Sequence, residues 1–164
     1  MYIRISKVCL VFAVAFFVSL VVYNNLSDYD SNYMFVYHVL KMDSTFPDNA
    51  GMWRAIDTPS LYGMFYNLII GAEFCIAVLC WLGGFRLYKS LKYINEFNRS
   101  KGLAVVGLTL AILLWFTGFM SIGGEWFLMW QSQIWNGIEA SFRFVVVIFM
   151  TLIYLIQPDS KEVS

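Results

Sequence analysis

Charge is what this chain has least of: Asp, Glu, Lys and Arg make up only 13% of its 164 residues, against 60% hydrophobic residues. A soluble globular domain carries about 25% charged residues, so that class is excluded and a membrane protein is expected. Histidine is nearly absent. His38 is the single one, which rules out a haem held by two histidines, and no cysteine or second histidine stands near it to complete a transition-metal site. The three cysteines, Cys9, Cys75 and Cys80, all fall inside apolar runs, and Cys75 with Cys80 does not form a CxxC pair. A disulfide-relaying oxidoreductase is therefore not expected; buried, inert thiols are. No nucleophile elbow, phosphate loop, dinucleotide fingerprint or paired-carboxylate motif occurs, so neither enzymatic activity nor a bound cofactor is expected.

What the chain has instead is four apolar blocks: Val8 to Tyr23, Tyr62 to Leu87, Gly102 to Ile122, and Phe142 to Ile156. Each reaches or approaches the roughly 20 residues a helix needs to cross about 30 Å of hydrocarbon. Backbone polar groups in lipid must be paired internally, so the blocks are expected as helices. The fold class that follows is all-α, a polytopic membrane protein built as a four-transmembrane-helix bundle in a single domain over residues 1–164. The spans are placed at about 7–25, 60–87, 102–123 and 139–157. Arg4 and Lys7 before the first block imitate a signal peptide, but VVYNNLSDYD offers no small-residue cleavage site, and a retained span is expected.

Charge placement sets the orientation. With the N-terminus inside, Arg4, Lys7, Arg86, Lys89, Lys92, Arg99, Lys101 and Lys161 are internal, eight basic residues against the acids Glu96, Asp159 and Glu162. The outer side holds three basic residues, Lys41, Arg54 and Arg143, against seven acids. The positive-inside rule then puts both termini and the loop 88–101 in the cytoplasm, and the loops 26–59 and 124–138 in the periplasm. The basic segment FRLYKSLKYINEFNRSKG is an orientation signal resting against anionic headgroups, and no nucleic-acid partner is implied.

The first loop is too long for a simple connection. Its segment SNYMFVYHVLKMD, residues 31–43, places Phe35, Val36, Val39, Leu40 and Met42 on one helical face, and a short interfacial helix on the outer membrane surface is expected. Thr58-Pro59 supplies an N-cap and a proline at the first helical position for span two. Small residues at steps of four, Gly63, Asn67, Gly71 and Cys75 on one face and Glu73, Ala77, Cys80 and Gly84 on another, suit close helix approach, as do Gly107 with Ala111 and Ala15 with Ser19.

Three groups of residues are candidates for function. Glu73 is the only charged residue deep in a span, so it is expected to be protonated, paired or facing a wet cavity. It reads either as a proton-coupling site, with Asn67 and Thr117 as the nearest polar companions, or as a tie between helices. Glu139 and Arg143 stand one helical turn apart. With Glu125, and with Arg54 and His38 from the long loop, they are expected to form a periplasmic charge cluster, either pinning the loop or lining a small polar site. Finally, GGEWFLMWQSQIWNG, residues 123–137, concentrates Trp126, Trp130 and Trp135 in a hairpin. Tryptophan is at home at the water–lipid boundary. The density of indoles and polar residues nevertheless points to a structured cap and contact surface, with Trp126 and Trp130 on one face if the segment is helical.

STFPDNAGMWRAI at 44–56, GGEWFLMWQSQIWNG, and the Phe-Arg-Phe at 142–144 are not demanded by hydropathy. With the four-span layout they resemble a bacterial family of predicted small integral membrane proteins of unknown function, over about Asn24 to Pro158. The resemblance implies a Gram-negative inner-membrane location and carries no activity. The expected role is that of a non-enzymatic accessory protein acting through its periplasmic aromatic cap on another membrane component, for example immunity against a membrane-targeting toxin. The alternatives are a small proton-coupled transporter or channel using Glu73, and a quinone- or lipid-binding membrane subunit. Membrane lipids are the expected partners, with another membrane protein or a toxin as the specific one.

Overall fold

Val8, Val11, Val14, Ala15, Val18 and Val22 recur at spacings of three and four, the period of one helix face. In the computed structural model, which describes residues 1–160, they are the buried stripe of helix α1 (Tyr2–Ser27), and the stripe ends on the buried polar residues Lys7 and Asn25. Helix α3 (Pro59–Lys89) carries the matching stripe: Tyr62, Tyr66, Ile70, Glu73, Ala77, Cys80, Gly84 and Leu87 advance by three or four residues and are all buried. The two helices pack on each other along their length, and α5 (Gly102–Leu113) packs on α3 beside α1. Helix α6 (Ile138–Ile156) closes the bundle against α5 and α1. Two shorter helices, α2 (Tyr29–Lys41) and α4 (Ile94–Ser100), complete the order, and there is no strand among the described residues.

Four stretches are long and apolar enough to cross a membrane: Tyr2–Ser27, Pro59–Lys89, Ile94–Trp126 and Ile138–Ile156. Their outward residues, Leu10, Phe16, Leu20, Phe74, Val147 and Met150 among them, are exposed and form a belt suited to acyl chains. Lys161 and Glu162, counted above among the internal charges, lie outside the described residues.

Glycine sets how closely α3 and α5 meet. A Cβ on Gly83 would come within 2.5 Å of the Ala104 backbone nitrogen, and one on Gly107 within 2.8 Å of Cys80 Sγ. Of the two small-residue faces expected on α3, only the one bearing Glu73, Ala77, Cys80 and Gly84 is buried. The other is not a packing face: a Cβ on Gly71 would meet nothing within 4 Å, and Asn67 and Cys75 are exposed. Cys9 is exposed as well, so of the three thiols expected to be buried only Cys80 is. The stripe at i, i+3, i+4 already satisfies α1 and α5, which leaves those faces outward.

At the end of the bundle where α1 begins and α6 ends, a buried ionic knot ties the chain together. Lys7 and Lys101 both donate to Asp159 Oδ2, at 2.9 and 2.6 Å, and both donate to the Gln157 carbonyl at 2.7 Å. Asn98 bonds the backbone of Asp159 in both directions, and Arg4 donates to the Leu91 carbonyl.

At the opposite end α3 outruns its partner. Lys7 and Asn25 are separated by about 27 Å at 1.5 Å per residue, close to the thickness of the hydrocarbon. Glu73 bonds Asn25, so it is level with the end of α1, and the part of α3 before it projects about 20 Å further. This projection is covered by α2, which after a break at Asp28 runs on beyond α1 along α3, from Tyr29 beside Asn67 to Leu40 beside Ile56, and by the loops, around a second core of Val22, Val36, Leu40, Met42, Tyr62, Tyr66, Ile70 and Phe127. The helix expected at 31–43 thus runs over 29–41, and its apolar face is turned onto α3. Span three also departs from a plain α-helix: beyond Leu113 it widens into a π-helix over Leu114–Trp126. π-helices are usually single-turn bulges; Gly118, Gly123 and Gly124 weaken the α alternative here.

Two outcomes follow. Gly83→Ala should lower stability by about 1–3 kcal/mol through overpacking against backbone, while Gly71→Ala should not, as read by unfolding in detergent followed by circular dichroism. Burial of the Asp159 carboxyl raises its pKa, but the hydrogen bonds and charges of Lys101 and Lys7 outweigh burial and hold it below the ordinary carboxylate value. That stabilisation is complete above about pH 3.9 and is lost as pH falls through the lower folded-state value. Asp159→Asn should cost about 3 kcal/mol at neutral pH, and its deficit relative to wild type should shrink in melts taken below about pH 3.9.

Candidate functional site

Glu73 is 2% exposed, and Asn25 Nδ2 donates to its Oε2 at 2.7 Å. The Asn25 carbonyl in turn accepts from Tyr66 OH at 2.9 Å. Each of the three sits where its helix stripe puts it: Asn25 continues the valine stripe of α1, and Tyr66 and Glu73 lie seven residues apart on that of α3. Sequence reasoning singled out Glu73 and missed its partners. The signal was present, since Asn25 stands three residues after Val22 on a face otherwise apolar between Lys7 and itself.

Glu73 lies midway along α3, level with the end of α1. Its expected companions are elsewhere. Asn67 is exposed and accepts a hydrogen bond from Tyr29 OH at 3.1 Å, and Thr117 is exposed on the π-helix.

Glu73, Asn25 and Tyr66 open onto a cleft of about 470 Å³ whose other walls come from α1, α2, the π-helix and α6, including Asn24, Asn32, Trp115, Phe119 and Phe144. Beside it, between α2, α3 and the π-helix, lies a second cleft of about 650 Å³ walled by apolar side chains and glycine, among them Val39, Leu40, Leu68, Gly118, Ile122 and Trp126. Phe35, Val36, Ile69 and Phe119 line both. Volumes of this size are those of small-molecule sites, where apolar walls surround a few convergent polar groups.

The five residues of the expected charge cluster separate into distinct groups. Arg143 pairs with Glu139 on the exposed surface of α6. Arg54 donates to the backbone carbonyls of Glu125 and Trp126, and its guanidinium lies 5.7 and 5.5 Å from the rings of Trp53 and Trp126. His38 Nδ1 is 2.9 Å from Asp43 and its ring stacks on Trp135 at 4.5 Å. No hydrogen bond or ion pair among the described residues joins these groups, because Arg54 and His38 find nearer partners in backbone carbonyls, Asp43 and tryptophan rings. The carboxylate of Glu125 takes no part in the Arg54 contact, which uses its carbonyl.

The tryptophans are also divided. Leu128 adopts the left-handed conformation (φ 53°) between the π-helix and a 3₁₀ turn at Met129–Gln131, so Trp126 and Trp130 do not share a helix face. Trp126 meets Trp53 and Trp130 meets Phe46, each edge-on at 5.7 Å between ring centroids. Polar bonds between the same two loops reinforce these contacts: Gln131 Oε1 accepts from Phe46 N and Asn49 Nδ2, and Ser44 donates to Ser132 at 2.9 Å. The hairpin and the long loop therefore form one layer over that end of the bundle.

Four long apolar helices enclosing a buried carboxyl at one end define a multi-pass integral membrane protein. Over residues 3–158 the chain matches the family described as "Predicted small integral membrane protein (DUF2165)", a family of unknown function, and it belongs to that family. Neither a curated protein nor a solved structure matches it.

Removing the donor from the buried carboxyl should be costly and removing both partners less so. Asn25→Leu is expected to lower stability by about 1–3 kcal/mol, and Asn25→Leu with Glu73→Leu to recover part of that loss, measured as a double-mutant cycle of unfolding in detergent.

Proposed function

We propose that this protein binds a lipid-soluble small molecule at Glu73, acting as a non-enzymatic binding protein of a bacterial inner membrane with both termini in the cytoplasm. The observation that carries this reading is the pairing of a buried carboxyl and amide with a cleft of about 470 Å³ in a wall that is otherwise apolar. A polar pair retained only to join α1 and α3 could be sealed by packing; this one faces open volume. The orientation rests on the basic residues Arg4, Lys7, Arg86 and Lys89 at the end opposite the cap. Proton-coupled transport through Glu73 draws less support. Toward the end of α3 its stripe continues as Ile76, Ala77, Cys80, Gly83, Gly84 and Leu87, with no further acid, base or amide to pass a proton along.

The aromatic cap supports a second reading, that of an accessory protein contacting another membrane component such as a toxin. Trp53 and Ile134 are 75% and 77% exposed, and Phe46 and Trp130 are about half exposed. A surface of this kind also suits lipid headgroups, so this reading ranks below the first.

Purification from native membranes in mild detergent, followed by native mass spectrometry, is the test of the first reading. An adduct of constant mass that is lost in Glu73→Leu while the folded protein remains is expected; release of only the bulk lipid mixture, equal in wild type and variant, would count against it. For the second, Trp126→Ala with Trp130→Ala should abolish co-purification of a specific protein without loss of folded material, and a wild-type protein that always emerges alone contradicts it.

A further inference from the structure

The two clefts share four lining residues and differ in chemistry: one contains the Glu73 and Asn25 pair, the other is apolar throughout. From this we infer, building on the binding role of Glu73, that the ligand is an amphiphile with one hydroxyl-bearing head and one long apolar chain, the head held at Glu73 and the chain laid in the larger cleft between α2, α3 and the π-helix.

The head follows from which carboxyl oxygen remains available. Asn25 occupies Oε2 of Glu73, and no described residue donates to Oε1. A carboxyl that lines a cleft with one oxygen still open as an acceptor is matched by a hydroxyl donor. Leaving such an acceptor unpaired in apolar surroundings is unfavourable, so the head that supplies a donor there is favoured over an apolar one. The chain follows from adjacency. Phe35 and Phe119 line both clefts, so an occupant whose chain passes them reaches a volume of about 650 Å³ with no polar partner to offer. Only an apolar group meets complementary walls there. Glycine keeps that volume open: a Cβ on Gly118 would make only an ordinary contact, 3.7 Å from Leu114 Cδ1, so a larger side chain at 118 can enter the cleft without disturbing the backbone.

This head-and-chain chemistry is shared by two membrane constituents, an isoprenoid quinol and a monoacylglycerol, and the assay separates them. Trp115 lines the head cleft and Trp126 the chain cleft, so binding is read by quenching of tryptophan fluorescence in the full chain, reconstituted in phosphatidylcholine nanodiscs. The probes are a prenylated quinol and a monoacylglycerol brominated in its chain, each with a counterpart lacking the long chain. At least one long-chain probe is expected to quench saturably, and which one does so identifies the source. Glu73→Gln, whose single carbonyl oxygen is taken by Asn25, should weaken both that probe and its short counterpart at least tenfold. Gly118→Leu should weaken the long-chain probe at least tenfold and leave the short one unchanged. Tyr66→Phe, which loosens Asn25 without touching the carboxyl, serves as the head-site variant if Glu73→Gln fails to fold. Equal affinity of long and short probes, with no effect of Gly118→Leu, overturns the chain while leaving the Glu73 site standing. Binding that ignores every head-site variant, or no saturable quenching by either probe, overturns the binding role itself.

Discussion

The hydrogen bond from Asn25 to Glu73 sets the register of α1 against α3, and most of what distinguishes this bundle depends on it. Small residues and valines let the two helices approach at many registers, because a stripe at steps of three and four looks alike after each heptad. A carboxyl and an amide do not: each costs free energy unless it meets the other. Polar anchors at the far end act in the same sense, with Arg4 on the Leu91 carbonyl and Lys7 in the Asp159 knot. The pair of helices is thus pinned at both ends, over a length that matches the hydrocarbon of a bilayer.

Everything at the cap end follows from that register. Because Glu73 is held level with the end of α1, the first part of α3 stands clear of α1 and offers Tyr62, Tyr66 and Ile70 to whatever covers it. Helix α2 supplies Val36 and Leu40, and the two loops close over the top through Trp53 with Trp126 and Phe46 with Trp130. Cover of this kind is not close-packed. α2 leans on α3 from one side while the π-helix, wider than an α-helix and poor in side chains at Gly118 and Gly123, stands off on the other, and the two clefts are the volume left between them. The polar pair that fixes the bundle is therefore also the chemical group that faces this volume.

Much of the architecture was legible in the residues. The four spans, the helix near 31–43 and the buried Glu73 face of α3 all follow from period and hydropathy, since a lipid-facing helix has few other ways to satisfy its backbone. The offset between the helices was not legible: nothing local tells that α3 starts about 20 Å beyond its partner, so Asn25 at the end of α1 could not be matched to Glu73. The face at Gly63, Gly71 and Cys75 misled because small residues are necessary for close packing and not sufficient for it. The expected meeting of Glu125, Glu139, Arg143, Arg54 and His38 failed for a related reason. Charges on one side of a membrane share a neighbourhood, but backbone carbonyls, Asp43 and the tryptophan rings were nearer partners. The π-helix is the least legible element, because its alternative hydrogen bonding differs from the α pattern by small local preferences.

On the proposed binding role, the Glu73 pair both fixes the helix register and faces an occupied cleft. The most direct measurement is cryo-electron microscopy of the protein, purified from its native membrane into nanodiscs and enlarged with a bound antibody fragment. Asn25 is expected against Glu73 at the end of α1, with an elongated density whose near end lies within hydrogen-bonding distance of the Glu73 carboxyl and whose far end lies between α2 and the π-helix. Side chains of α2 and the π-helix collapsed together over Glu73, with lipid density confined to the outer belt, would contradict it.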